Sequence, residues 1–124
     1  FLMPSKYLLA SIVQAGDVEL SHEPIGEYQR ADGQAPATTG YAELGTLGDA
    51  EVGIWEMSGG AMRDIESDEY FVVLSGRATV QILEADGFGA QELRLVPGSV
   101  ARLHAGMSTL WTVTETLRKI YFTL

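Results

Sequence analysis

EYFVVLSGRATVQILE, Glu69 to Glu84, is the stretch that decides the fold class. Its first part, EYFVVL (Glu69–Leu74), is a nearly unbroken apolar run of strand length. Its second part, RATVQILE (Arg77–Glu84), alternates: Ala78, Val80 and Ile82 share one face, and Thr79, Gln81 and Leu83 share the other. A period of two with one apolar face is the mark of a strand lying on a core. Ser75-Gly76 between the two parts reads as a tight two-residue break, so two strands are expected here.

The same pattern continues on both sides. YAEL from Tyr41, EVGIWEM (Glu51–Met57), QELRLV (Gln91–Val96), SVARLH (Ser99–His104), STLWTVT (Ser108–Thr114) and LRKIYFTL (Leu117–Leu124) are each of strand length. Asp86-Gly87, Pro97-Gly98 and Ala105-Gly106 supply turn signals between them, and helical periodicity is hard to find. Strands so spaced predict an all-β antiparallel sandwich or barrel. In STLWTVT the set Thr109, Trp111 and Val113 opposes Leu110, Thr112 and Thr114. In LRKIYFTL the set Arg118, Ile120, Phe122 and Leu124 opposes Leu117, Lys119, Tyr121 and Thr123. Alternation leaves open which set points inward, because both contain bulky residues. Gly16 to Gly40 is small, polar and loosely patterned, and reads as an extended arm or loop.

The chain has 124 residues, 46% hydrophobic and 20% charged, which is the composition of one folded domain with a core of its own. A formal net charge of −9 disfavours nucleic acid and anionic membrane surfaces as partners. Absence of cysteine removes disulfides, thiolate metal sites and cysteine nucleophiles, and a cytoplasmic setting fits best. Near the start, Lys6 precedes an apolar Tyr7–Val13 that is too short and too weakly flanked for a signal peptide. No apolar run approaches the length of a membrane helix. The chain is therefore expected to be soluble.

Upstream of the opening strand lies RDIESDE (Arg63–Glu69), in which charge is concentrated at the mouth of a core strand. The order Glu69, Gly76, a hairpin, Pro97-Gly98, Ala105-Gly106 and a final aromatic strand resembles the cupin superfamily. More narrowly, VGIWE (Val52–Glu56), SDEYFVVLSGRATV (Ser67–Val80), PGSVARLHAG (Pro97–Gly106) and TLWTVTETLRKIYF (Thr109–Phe122) look like one single-cupin subgroup. It includes the cupin part of ethanolamine-utilization protein Q and relatives of ureidoglycine aminohydrolase. The similarity covers roughly residues 45–124. It implies a small double-stranded antiparallel barrel of jelly-roll type, residues 45–124, behind an N-terminal arm, residues 1–44.

Cupins usually hold a metal with two histidines and a glutamate from a first motif and a third histidine from a second. Carried over by position, Glu69 takes the glutamate slot, Met62 and Asp64 or else Arg63 and Ile65 take the two histidine slots, and Thr109 takes the third. No histidine stands in any of them, so no transition metal is expected; a hard divalent cation at Asp64 and Glu69 is the alternative. Glu69 on the inner face of a barrel is a candidate general acid or base, or else the partner of an arginine such as Arg63, Arg102 or Arg118. Arg63, Glu69, Thr109, Trp111 and His104 form the expected ligand pocket. Trp55 and Tyr41 read as packing residues, and Asp64, Glu66 and Asp68 as the solvated rim of a loop. Arg118, Lys119 and Tyr121 suit an anionic group, most simply the chain's own carboxylates. The expected function is binding of a small polar metabolite, with a lyase, isomerase or hydrolase using Glu69 as the alternative. A homodimer is expected, because exposed strand edges tend to be covered by a second copy.

Overall fold

A computed structural model describes residues 8–124, so Tyr7 and the residues before it, which include Lys6, lie outside the described part. Eight strands follow in order: β1 (Glu23–Pro24), β2 (Thr38–Leu47), β3 (Ala50–Met57), β4 (Gly60–Ile65), β5 (Glu69–Ile82), β6 (Gln91–Leu95), β7 (Val100–Leu103) and β8 (Ser108–Thr123). A single 3-10 turn, Glu27–Gln29, lies between the first two. No helix among the described residues is long and apolar enough to cross a membrane.

The two long strands, β5 and β8, pair antiparallel from Glu69↔Thr123 to Ile82↔Thr109 and organise everything else. Around the first part of β5, β7 pairs on one side, while β8, β3 and β2 extend the layer on the other. Around its last part, β6 pairs with β5, and β4 pairs with the first half of β8. Two layers sharing two bent strands make the small antiparallel barrel that the sequence leads one to expect.

The bend replaces an expected turn. Ser75-Gly76 does not end a strand; β5 runs through it with register shifts against β8 between Val73 and Ala78. Gly76 has φ 93°, and a Cβ there would run into the carbonyl oxygen of Thr116. A local break in alternation therefore marks a bulge, which lets one strand serve both layers. Likewise Ser108–Thr114 and Leu117–Thr123 belong to one strand, exposed at Thr114–Thr116 where it passes the bulge. A second correction concerns the charged stretch before Glu69. Its beginning, through Ile65, is strand β4 and not a loop, with Met62 opposite Trp111 and Asp64 opposite Thr109.

The inner faces meet in a core of Phe71, Val73, Val80, Leu103, Trp111 and Leu117 among others, all nearly inaccessible. Each large side chain so buried contributes roughly 2–3 kcal/mol. Ala78, Val80 and Ile82 are the inward set of their segment, and so are Thr109, Trp111 and Val113 of theirs. The arm is not loose: Ile25 and Ala37 join the core, and β2 begins at Thr38, earlier than the Tyr41 read from the sequence. Its stretch around Ala15 and Val18 is tied to the outer face of β8. Arg118 Nη1 donates to the carbonyls of Ala15 and Val18 at 2.8 and 2.7 Å.

Candidate functional site

Strand pairing places the site. Trp55 lies opposite Lys119, Gly53 opposite Tyr121 and Glu51 opposite Thr123 across β3 and β8, and paired residues point to the same side. The inward set of the last strand is thus Leu117, Lys119 and Tyr121, which resolves the alternation in favour of a buried lysine. Gly53 makes room for Tyr121: any Cβ there would collide with its ring. Glu51, Trp55, Lys119 and Tyr121, together with Asp64, Glu66 and Glu69, line a cleft of about 350 Å³ at the barrel mouth.

At the floor of the cleft Lys119 Nζ donates to Glu69 Oε1 at 3.0 Å. The same ammonium lies 4.3 Å from the ring centre of Phe71, 4.6 Å from that of Trp55 and 4.8 Å from that of Trp111. Three aromatic faces and one carboxylate compensate a cation that is almost fully buried. Burial pushes the Glu69 carboxyl above its ordinary value, and the Lys119 charge and hydrogen bond offset only part of that rise.

Above this pair stand three more carboxylates. Glu66 is buried and accepts from Thr109 Oγ1 at 2.6 Å and from Trp111 Nε1 at 3.0 Å. It is an interior residue rather than part of a solvated rim, because the indole and hydroxyl of β8 supply the donors that water otherwise would. Asp64 is half-buried, and burial first and Glu66 second push its carboxyl up to about 6, against the lowering from the Ile65 backbone N–H and Lys119. No cationic side chain among the described residues forms a salt bridge with it. Glu51 accepts from the Tyr121 hydroxyl at 2.5 Å; burial, then this acceptor, raises the phenol well above its usual range. Only Asp68, of the three acids read as rim, behaves as one: it is half-exposed and pairs with Arg102 at 3.1 Å.

Of the residues expected in a pocket, Glu69 and Trp111 line the cleft. Thr109 sits behind it, holding Glu66. Arg63 points out of the barrel into a separate groove of about 380 Å³, which Asp64 and Thr109 also touch. His104 is exposed, 4.0 Å from Asp68, and away from the cleft. The partner of Glu69 is Lys119 and none of the three arginines, since Arg102 turns to Asp68 and Arg118 to Glu56. Trp55 and Tyr41, expected to serve packing alone, line the cleft. The expectation that Arg118, Lys119 and Tyr121 meet the chain's own carboxylates is met by Glu56, Glu69 and Glu51 respectively.

The strand register also assigns the slots of the cupin metal motif. Met62 and Asp64 face inward, whereas Arg63 and Ile65 are exposed. A thioether, two carboxylates and a threonine hydroxyl, with a lysine ammonium on one of the carboxylates, do not fit a transition metal. No three histidine, aspartate or glutamate side chains converge closely enough to hold an ion among the described residues.

A small antiparallel jelly roll with a polar cleft at its mouth is the architecture of a cupin. The chain belongs to the EutQ-like cupin domain family, whose model matches residues 44–121. It is similar in fold to the EutQ protein of Clostridium difficile, with 22% identity, a TM-score of 0.64 and coverage of 90% of this chain and 84% of that one. A putative ethanolamine utilization protein Q of Salmonella typhimurium matches at 19% identity and a TM-score of 0.58 over 87% of this chain and 97% of that one. KdgF from a Halomonas species matches at 15% identity and a TM-score of 0.53 over 68% and 79% of the two chains. No curated protein matches the chain.

Proposed function

We propose that this cupin domain binds a small polar molecule in the cleft bounded by Trp55, Asp64, Glu69 and Tyr121. The supporting observation is the combination of a volume of about 350 Å³ with aromatic walls and several converging polar groups on rigid strands. Such a cleft encloses a metabolite but not a macromolecule. A thermal-shift screen of small metabolites checks it, because a ligand present at about 100 times its Kd adds about 2.7 kcal/mol to the folded state. A hit lost on Trp55→Ala, with the fold intact, is the expected result.

A second reading has its own support. Two neighbouring carboxyls, Glu69 and Asp64, are raised by burial, which suits an acid or base near neutral pH and hence a lyase, isomerase or hydrolase. Any turnover found in the screen should then fall at least a hundredfold in Glu69→Gln. The proposal includes a cytoplasmic homodimer. Tyr41, Leu44 and Leu47 are exposed on β2, whose edge beyond Thr39 is paired on one side only among the described residues. Light scattering coupled to size exclusion that returns the mass of one chain would overturn the dimer.

A further inference from the structure

We propose that the ligand of the cleft is an organic cation, held by Asp64 and the aromatic wall of Trp55. This rests on the reading of the cleft as a small-molecule site and adds the charge of the occupant. Among the described residues four carboxylates face the cleft, Glu51, Asp64, Glu66 and Glu69, against the single ammonium of Lys119. Three of the four have donors within the chain: Glu69 has Lys119, Glu66 has Thr109 and Trp111, and Glu51 has Tyr121. Among the described residues Asp64 has as donor only the backbone N–H of its neighbour Ile65, and it lines the cleft.

The barrel itself shows what these walls accept. Its own lysine places an ammonium within 5 Å of three ring centres and on a carboxylate, the arrangement by which proteins recognise alkylated ammonium groups. A second ammonium at Asp64 would meet the same chemistry one layer higher, where Trp55, Tyr41 and Tyr121 supply the aromatic surface. Anionic molecules face repulsion from Glu51, Asp64 and Glu66, and Lys119, the one cation lining the cleft among the described residues, is already neutralised by Glu69. A bare divalent ion is the poorer fit, because the oxygens do not converge as a coordination shell.

The test uses three probes of similar size and different charge, propylammonium, propanol and propanoate, titrated into the full chain while the two tryptophan indole N–H signals are followed by NMR. Propylammonium should shift both signals at millimolar concentration, and propanoate should shift neither. Asp64→Asn, checked for an intact spectrum, should weaken propylammonium at least fivefold. Lowering the pH from 7.5 to 5 should weaken it roughly tenfold in the unaltered chain, as Asp64 protonates among Glu51, Glu66, Glu69, Lys119, Tyr41 and Tyr121. Unchanged affinity in either comparison overturns the proposal. Stronger binding of propanoate, propanol, Mg²⁺ or Ca²⁺ overturns the cation assignment while leaving a binding cleft. Silence of all three probes together with an empty metabolite screen overturns both.

Discussion

Lys119 is nearly inaccessible and Glu69 mostly buried, so losing one leaves the other charged and without its partner in a low-dielectric setting. Lys119→Met should therefore lower stability by about 3 kcal/mol in urea unfolding, and adding Glu69→Gln should restore more than half of the loss. If the two substitutions simply add, the pair is not coupled as its geometry demands. Asp64 behaves in the opposite sense. Its folded-state carboxyl is raised to about 6, so the protonated form is favoured and the contribution to stability is complete below the ordinary aspartate value and lost as pH rises through 6. Asp64→Asn should stabilise the fold by about 1 kcal/mol at pH 7, after allowance for the solvent that screens a half-buried group, and by nothing below about pH 4. A midpoint unchanged at pH 7 would show that Asp64 carries no burden. A residue that weakens the empty fold is what a binding role predicts, since its compensation arrives with the ligand. Glu69 could be read from the sequence because the resemblance to cupins located it through its spacing to Gly76. The burial of Lys119 is not legible there: a lysine alternating with tyrosine on a terminal strand normally faces water, and it takes the carboxylate of Glu69 and the rings of Trp55, Phe71 and Trp111 to make its burial tolerable.

Among the elements, β5 and β8 carry the fold, and the bulge at Gly76 is what allows them to. Alternation in RATVQILE and STLWTVT was legible because each strand half packs one face on the core. Continuity across Ser75-Gly76 was not, since a glycine with positive φ serves a turn and a bulge equally well. β4 escaped notice for a different reason: Arg63 and Ile65 face outward from an edge strand, so its charged and apolar residues do not alternate in the usual sense. Gly76→Ala should destabilise the protein by about 2 kcal/mol or more, combining the penalty of a left-handed backbone with the collision against Thr116. Gly87→Ala is the control, having a similar φ of 84° but open space around it. A comparable loss at both positions in denaturant titrations would mean that backbone conformation alone, and not the crossing of β5 and β8, sets the requirement.

For the whole molecule, the decisive connection is between the arm and the back of the cleft wall. Arg118 is next in sequence to Lys119 and faces the other way, donating to the Ala15 and Val18 carbonyls and, through Nε, to Glu56 at 2.8 Å. Glu56 also accepts from His22 at 2.6 Å, and His22 reaches Thr38 at 2.8 Å, so one cluster ties the arm to β2, β3 and β8. Burial alone would raise the Glu56 carboxyl, yet the hydrogen bonds and charges of Arg118 and His22 outweigh it and hold the group below its ordinary value. A lowered carboxyl contributes stability above the unfolded-state value and loses it as pH falls through the folded one. The arm should accordingly stay docked at neutral pH and loosen only under acid conditions, below about pH 4. Arg118→Ala removes the cation at the centre, strands Glu56 and leaves two carbonyls without their donor. A loss of roughly 3–5 kcal/mol is expected, together with proteolysis between residues 8 and 22 at neutral pH. Glu56→Gln should open the same segment less, because the arginine keeps its hold on the two carbonyls. Were the arm to resist protease in Arg118→Ala, the burial of Ile25 and Ala37 would be enough to seat it, and the ion cluster would be incidental to the docking.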